Sequence, residues 1–296
     1  MAWLLNLIIT SLRTTTPILL AAMGGLLCAQ VNMFNIALEG KMLMGAFFGV
    51  VGGYLWGSWV FGVLLGVASG LIFALIFALF VVEIESHPIT IGIVLNLLAL
   101  ALTTVLLEPI FGGRGFFLLD IPLIPVLRIP GMEGLGRAAD IINNQNFLYY
   151  LAYAGIFFLH YFLYYTAAGL RLRAVGLKPL AAMTLGLRPK IYRYLAILIS
   201  GALCGAAGVW LSLSSLGMFS DNMSAGRGFI ALAAVLFGQA RPLWVLLASF
   251  IFGLARAVAI QLQGRGIPSE LVLMMPYLIT IISLWLATKR MKRTQE

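Results

Sequence analysis

Charge is what this sequence has least of. Only 10% of its 296 residues are Asp, Glu, Lys or Arg, against 62% hydrophobic, and the mean hydropathy is +1.04. So small a charged fraction cannot cover the surface of a soluble domain of this length. Histidine and cysteine are scarcer still, with two of each. That leaves no CxxC pair, no HExxH helix and no credible metal cluster. There is also no GxSxG elbow and no GxxxxGK[ST] loop to cradle ATP phosphates. Catalysis, metal binding and ATP binding by this chain are therefore not expected. Cys28 and Cys204 lie in apolar, small-residue context and read as buried thiols.

What the sequence does have is long apolar runs. "GVLLGVASGLIFALIFALFVV" (62–82) exceeds the roughly 20 residues that cross a bilayer core. Segments long enough to cross, or partly cross, fall at 2–12, 15–30, 41–56, 58–82, 88–110, 147–168, 194–215, 228–240, 243–263 and 271–288. The first and eighth are short and read as half-helices, re-entrant pieces or tilted segments. The fold class is an all-α polytopic membrane protein of about ten (8–10) segments, as one domain over 1–296. Its halves, 1–110 and 147–296, are joined by an external loop, 111–146. That loop, with Pro122, Pro125 and Pro130, reads equally as a spacer or as a platform for a partner. The opening "MAWLLNLIIT" has no basic n-region or cleavage site and is expected to stay attached.

The net charge of +9 could suggest nucleic acid, but its distribution points to topology. With the opening stretch inside, twelve Lys/Arg fall on the cytoplasmic side: Lys41, Arg171, Arg173, Lys178, Arg188, Lys190, Arg193, Arg241, Lys289, Arg290, Lys292 and Arg293. Six fall outside: Arg13, Arg114, Arg128, Arg137, Arg227 and Arg265. Lys and Arg concentrate on the cytoplasmic side, which also places the C-terminus there. Tyr54, Trp56 and Trp59 sit at an outer boundary, where interfacial aromatics belong.

Polar residues inside apolar segments are costly and face a cavity or a partner helix. Asn32, Asn35, Glu39, Asn96 and Arg227 are the candidates for a solute pathway. Asn32 and Asn35, at i and i+3, share a face if helical. Their amides suit a neutral polar solute, or equally the cap of a helix break, with Glu39 favouring the start of the helix that follows. Asn96 is equally a helix–helix bond or a pathway residue. Arg227 could meet a partner at the outer face or mark the boundary. Arg256 reads as an interhelical anchor or a snorkelling side chain. His87 and His160 read as structural.

One stretch breaks the apolar texture. "RAVGLKPLAAMTLGLRPKIYRY" (173–194) holds five basic residues, two prolines and no acid. On this topology it lies in a cytoplasmic loop, 170–193. Gly176 and Pro179 can break a helix leaving the membrane, and "PLAAMTLG" can form a short helix closed by Gly186. Its apolar stripe should dock on something, either the membrane surface or a protein.

"RAVGLKPLAAMTLGL" resembles the RAVGxNPxAAxxxGI signature of permeases in ABC importers for simple sugars, branched-chain amino acids and nucleosides. Arg173, Ala174, Val175, Gly176, Pro179, Ala181, Ala182 and Gly186 match, while Lys178 replaces the usual Asn and removes a side-chain cap. "NIALEG" (35–40) and "SGALCGAAG" (200–208) extend the likeness to the superfamily, while "GRGFIALAAVLFG" (226–238), "GIPSELVLMMPYLIT" (266–280) and "TPILLAAMGGL" (16–26) look most like its nucleoside branch. The resemblance implies a coupling helix built on Arg173, Ala174, Gly176, Lys178, Pro179, Ala181, Ala182 and Gly186. It also implies an ABC ATPase subunit that binds ATP and Mg, and a second, different permease chain. The remaining implied partner is an extracytoplasmic substrate-binding protein or lipoprotein, all at a bacterial plasma membrane.

"EGKMLMGAFFGVVGG" (39–53) and "AGRGFIALAAVLFGQ" (225–239) share a pattern and run in opposite senses on this topology. An inverted repeat would produce that, and so would small-residue helix packing alone. An ion-coupled carrier with inverted repeats is the rival of another class. It would need a membrane carboxylate, and only Glu39 and Glu108 are available.

Overall fold

The structure is a computed structural model that describes residues 2–112, 117–118, 121–128, 141, 143–214 and 217–263. Its helices are α1 (Ala2–Gln30), α2 (Leu38–Trp56), α3 (Trp59–Ala78, continued by a π-helical turn Leu79–Glu83), α4 (Pro88–Phe111), α5 (Phe147–Tyr165), α6 (Ala167–Leu177), α7 (Pro179–Thr184), α8 (Pro189–Leu213), α9 (Arg227–Phe237) and α10 (Pro242–Gln263). Two small antiparallel pairs join β1 (Phe117–Leu118) to β4 (Met218–Phe219) and β2 (Val126–Leu127) to β3 (Gln145–Asn146). Six described helices are long and apolar enough to cross a membrane: α1, α3 with its π-turn, α4, α5, α8 and α10. The predicted segment 271–288 and the C-terminal tail lie outside the described residues.

The predicted break between 2–12 and 15–30 is absent, and α1 is one continuous helix. The polar run Arg13–Thr16 survives inside it because its hydroxyls are satisfied within the helix. Ser11, Thr15 and Thr16 each donate to the carbonyl four residues back, at 2.6–2.9 Å, the usual way a hydroxyl is hidden in an apolar helix. The Thr14 hydroxyl lies 2.9 Å from the Thr10 carbonyl and 2.7 Å from that of Gly253 in α10. Arg13 reaches out of the helix to Gln145 Oε1 at 3.1 Å. The first two expected segments are therefore one helix rather than two.

Polar contacts identify the two ends of the bundle. At one end Lys190 pairs with Glu83 at 2.8 Å, and Gln30 Nε2 donates to the carbonyl of Ala240 at 2.6 Å. The α6–α7 segment, with Arg171, Arg173 and Lys178, belongs to this end. At the other end the Ile124 amide donates to the carbonyl of Leu213 at 3.1 Å, beside the two strand pairs. Tyr54 and Trp56 are exposed near this end.

The central element is α2. From Leu38 to Gly53 it is buried apart from Phe48, enclosed by α3, α8, α4 and α9. Glycine makes this density possible. A Cβ on Gly45 of α2 would lie 2.5 Å from the Gly205 carbonyl oxygen of α8, and one on Gly205 would lie 2.6 Å from the Gly66 carbonyl of α3. Three backbones thus meet without side chains between them, as small-residue packing in membranes permits.

Lys41 is a correction to the charge reading. It is not a cytoplasmic surface charge but is 0% exposed in the core. Its Nζ donates to Asn35 Oδ1 at 3.3 Å and lies 4.7 Å from the centre of the Phe77 ring. The helix that carries Lys41 begins inside the bundle, so a basic residue in its first turn never reaches water.

Candidate functional site

The starts of α2 and α9 meet inside the bundle. After α1 the chain reverses at Asn32, whose φ is +55°, and residues 31–37 run back against α1 and α8. Asn35 holds this return, with Nδ2 donating to Ser200 Oγ at 3.1 Å and to Cys28 Sγ at 3.4 Å. Asn32 and Asn35 therefore share no helical face, because α1 has already ended at Gln30. Asn35 is buried and Asn32 is exposed.

On the other side, the chain leaving β4 passes through turns at 221–226, where Asn222, Ala225 and Gly226 all take positive φ, and then enters α9. No side chain of its own caps α9. The carboxylate of Glu39 does so from α2, accepting from the Gly226 amide at 2.8 Å and the Gly228 amide at 2.6 Å. A helix start carries orphan N–H groups and positive partial charge, so a carboxylate there is doubly matched. Gly228 is required for the approach, since a Cβ on it would lie 2.5 Å from Glu39 Cα.

Asn96 completes the junction from α4. Its Oδ1 accepts from the Gly40 amide at 2.8 Å, and its Nδ2 donates to the carbonyl of Ile36 at 3.1 Å. Asn96 sits about 12 Å into α4, and Ser200 about 16 Å into α8, at 1.5 Å per residue. The junction is thus about midway through the bundle. From it α2 runs toward the end that carries the strand pairs, with Gly53 reaching Ile121 and Leu213, whereas α9 runs to the opposite end beside Gln30.

A cavity of about 490 Å³ opens on this junction, lined by Glu39, Asn96, Leu97, Asn222, Phe229 and Arg256 among others. That volume is within the roughly 300–1,000 Å³ of small-molecule sites. One wall is apolar, and the other carries an amide, a carboxylate and a guanidinium. Arg256 also borders a second cavity of about 270 Å³ toward the strand pairs, with Arg13 and Arg227.

Of the five candidate pathway residues, the structure brings Glu39 and Asn96 to the larger cavity and ties Asn35 to the same helix start through Lys41. Arg227 turns away from it, donating to the carbonyls of Met223 and Ser224 at 2.7 and 3.0 Å. Lys41 and Asn222 were missed. For Lys41 the available signal was its position two residues after Glu39, directly before an apolar run. Among the described residues no group of three His, Cys, Asp or Glu could hold a metal ion.

A second candidate element stands at the end of the bundle that holds Lys190 and Glu83. Thr166 caps α6, its hydroxyl accepting from the Gly169 amide at 3.1 Å. The helix carries Arg173, Ala174 and Gly176 to Leu177 and breaks at Lys178, not at Gly176. Gly176 instead lets α6 press against the Gln30 carbonyl at the end of α1. Pro179 then starts α7, with Ala181 and Ala182 inside it and no side-chain cap at Lys178. Gly186 ends it at φ +77°. Leu177, Leu180 and Leu185 are 82%, 80% and 79% exposed, a large apolar tip beyond the bundle.

The chain matches the family model described as the branched-chain amino acid transport system / permease component over residues 7–284. It is 35% identical to the nucleoside ABC transporter permease protein NupC of Lactococcus lactis, over 91% of this chain and 88% of that protein. It is 32% identical to the guanosine ABC transporter permease protein NupQ of Bacillus subtilis, over 90% and 87%. The glucose ABC transporter permease protein TsgB13 of Haloferax volcanii is 25% identical, over 86% and 70%. A solved ABC transporter in an inward-facing conformation superposes with TM-score 0.55 at 18% identity, covering 95% of this chain and 85% of that one. That likeness is one of fold. Matched over nearly its whole length, this multi-pass chain is a member of the branched-chain amino acid transport system permease family.

Proposed function

We propose that this chain is the membrane-spanning subunit of an ATP-driven importer of nucleosides in a bacterial plasma membrane. The observation that carries the reading is its 35% and 32% identity to two permeases named for nucleosides and guanosine, over about nine-tenths of its length. ATP and Mg bind to a separate ATPase subunit. A second permease chain forms the other wall of the pathway, and an extracytoplasmic binding protein or lipoprotein delivers the solute. The apolar tip of α6–α7 seats in the ATPase. Arg173, Lys178 and Pro179 shape the tip, Ala181 and Ala182 keep α7 thin enough to enter a cleft, and Gly186 closes it.

The geometry supports a mechanical route between the two ends. Movement of α7 passes through α6 to Gln30, because Gly176 leaves no slack between them. Gln30 also holds the Ala240 carbonyl just after α9, so the lever reaches the helix whose other end Glu39 caps. In this reading α2 and α9 are the broken elements of an inverted repeat, meeting at the solute cavity. Asn96, Glu39 and Arg256 present hydrogen-bonding groups beside the apolar wall of Leu97 and Phe229. A nucleoside, half flat ring and half hydroxyls, suits such a lining.

A second reading keeps the machine and changes the cargo to a simple sugar, favoured by the likeness to TsgB13. To test the assembly, the tagged chain is purified from its native membrane in mild detergent and its companions are identified. An ATPase, a different permease and a binding protein support the reading, whereas a reproducible homo-oligomer without an ATPase contradicts it.

A further inference from the structure

Two adjoining surface cavities on the α5–α10 side belong to neither the solute junction nor the apolar tip. The first, about 480 Å³, is at the cytoplasmic end and is bordered by His160, Tyr164, Arg173, Arg241 and Trp244. The second, about 660 Å³, is apolar and is bordered by Tyr153, Phe157, Leu247 and Phe250. Leu243 and Trp244 line both, so the two are continuous. From Trp244 to Phe250, and from Tyr164 to Tyr153, the groove climbs roughly 9–16 Å toward the bundle middle at 1.5 Å per residue.

The chemistry changes along that climb in a definite order. The cytoplasmic end has two guanidinium groups and an imidazole, and no carboxylate lines it among the described residues. Arg173 Nε and His160 Nδ1 are buried without a hydrogen-bond partner, a costly state for polar atoms at the edge of a membrane. The Arg173 guanidinium is held over the Tyr164 ring at 4.7 Å, which fixes its position without neutralising it. Trp244, 58% exposed, stands at the join, where an interfacial indole belongs. Above it the lining is aliphatic and aromatic.

We infer that this groove binds one anionic phospholipid of the cytoplasmic leaflet, its phosphate between Arg173 and Arg241 and an acyl chain against Phe157, Leu247 and Phe250. A soluble anion would use only the lower cavity, and a neutral lipid would leave both arginines unanswered. Basic pockets between membrane helices on the cytoplasmic side bind acidic headgroups in this way. Because Arg173 is on α6, the lipid touches the segment assigned to the ATPase contact, and membrane composition bears directly on that lever. The site rests on the membrane orientation alone and does not depend on the cargo.

The test is native mass spectrometry of the full chain with its co-purified companions, titrated with phosphatidylglycerol or with phosphatidylcholine of the same acyl chains. The expected result is one phosphatidylglycerol retained per copy of this chain at collision energies that strip phosphatidylcholine. Arg241→Gln should weaken retention about fivefold, and with Arg173→Gln about twenty-five-fold, from the usual contribution of a basic side chain at an acidic surface. Leu247→Trp, which fills the apolar half and leaves both arginines, should also displace the lipid. If Arg173→Gln fails to fold, Arg241→Gln and Leu247→Trp still decide the matter. Equal retention of the two lipids, or phosphatidylglycerol binding unchanged in Arg241→Gln and Leu247→Trp, overturns the inference.

Discussion

Replacing Glu39 with Gln tests whether the α2–α9 junction is held as the geometry indicates. The carboxylate accepts two amides, at 2.8 and 2.6 Å, each on its own oxygen. The amide side chain keeps one acceptor and turns an NH2 toward the other N–H, which is left without a partner inside the bundle. A hydrogen bond to a charged group contributes about 1.5–3 kcal/mol, and stranding a buried donor costs about 1–3 kcal/mol. The two figures overlap, so a loss of about 2–3 kcal/mol is expected, or roughly 30- to 150-fold in the closing equilibrium of the junction. Hydrogen–deuterium exchange reads this directly, because amide protection reports local opening free energy. Peptides covering 222–230 should exchange about 30–150 times faster in Glu39→Gln, with those from 200–210 of α8 unchanged. Nucleoside uptake should fall while the protein still assembles. Unchanged protection at 222–230 would refute the proposed capping of α9 by Glu39.

Asn96→Leu removes both bonds to the start of α2 and leaves the Gly40 amide and Ile36 carbonyl unpaired, so it should cost about 2–4 kcal/mol. Its uptake should fall more than that of Asn96→Asp, which keeps the acceptor for Gly40; equal loss in the two variants would count against this pairing. Lys190→Ala removes an ion pair whose partners are 57% and 46% exposed, so the melting temperature in detergent should hardly change. A large drop would mean the pair does more than link two surface helices. Gly186→Val forces a β-branched residue into φ +77°, at about 1–2 kcal/mol of strain, and should preserve insertion while uncoupling ATP hydrolysis from uptake. Undiminished substrate-stimulated uptake in that variant would sink the assignment of 179–186 to the ATPase contact.

The parts of this fold that are legible in the sequence are those written in local chemistry. Pro88 and Pro179 start α4 and α7, and α5 begins after its Asn146 cap, as the segments expect. By contrast, α8 begins at Pro189, ahead of the expected 194–215, and the Thr166 cap divides the expected 147–168 into α5 and α6. Spacing alone also placed the short helix after Pro179 and its end at Gly186. What failed depended on partners remote in sequence. The "RTTTP" stretch looks like a break until its hydroxyls are seen to be satisfied by the helix that contains them. Gly176 looks like a helix breaker, and only the Gln30 carbonyl beside it shows that it is a contact point. Lys41 looks cytoplasmic because sequence gives no sign that its helix starts midway through the bundle.

The candidate site divides the same way. Glu39 and Asn96 stand out as polar residues at or within apolar runs, since membrane burial makes such residues conspicuous. Their actual partners, the Gly226, Gly228 and Gly40 amides and the Ile36 carbonyl, are backbone groups that no side-chain pattern advertises. Arg227 carried the same signal as Glu39, yet its guanidinium closes the turn at Met223 and Ser224 instead of facing the larger cavity.

The central claim is ATP-driven nucleoside import, and reconstitution tests it most directly. The chain and its co-purified partners are placed in proteoliposomes with the binding protein outside and ATP and Mg inside, and entry of a radiolabelled nucleoside is followed. The account predicts uptake that requires ATP hydrolysis, resists a protonophore at constant ATP, and is not displaced by excess glucose. Uptake that proceeds without ATP and collapses with the proton gradient would contradict it.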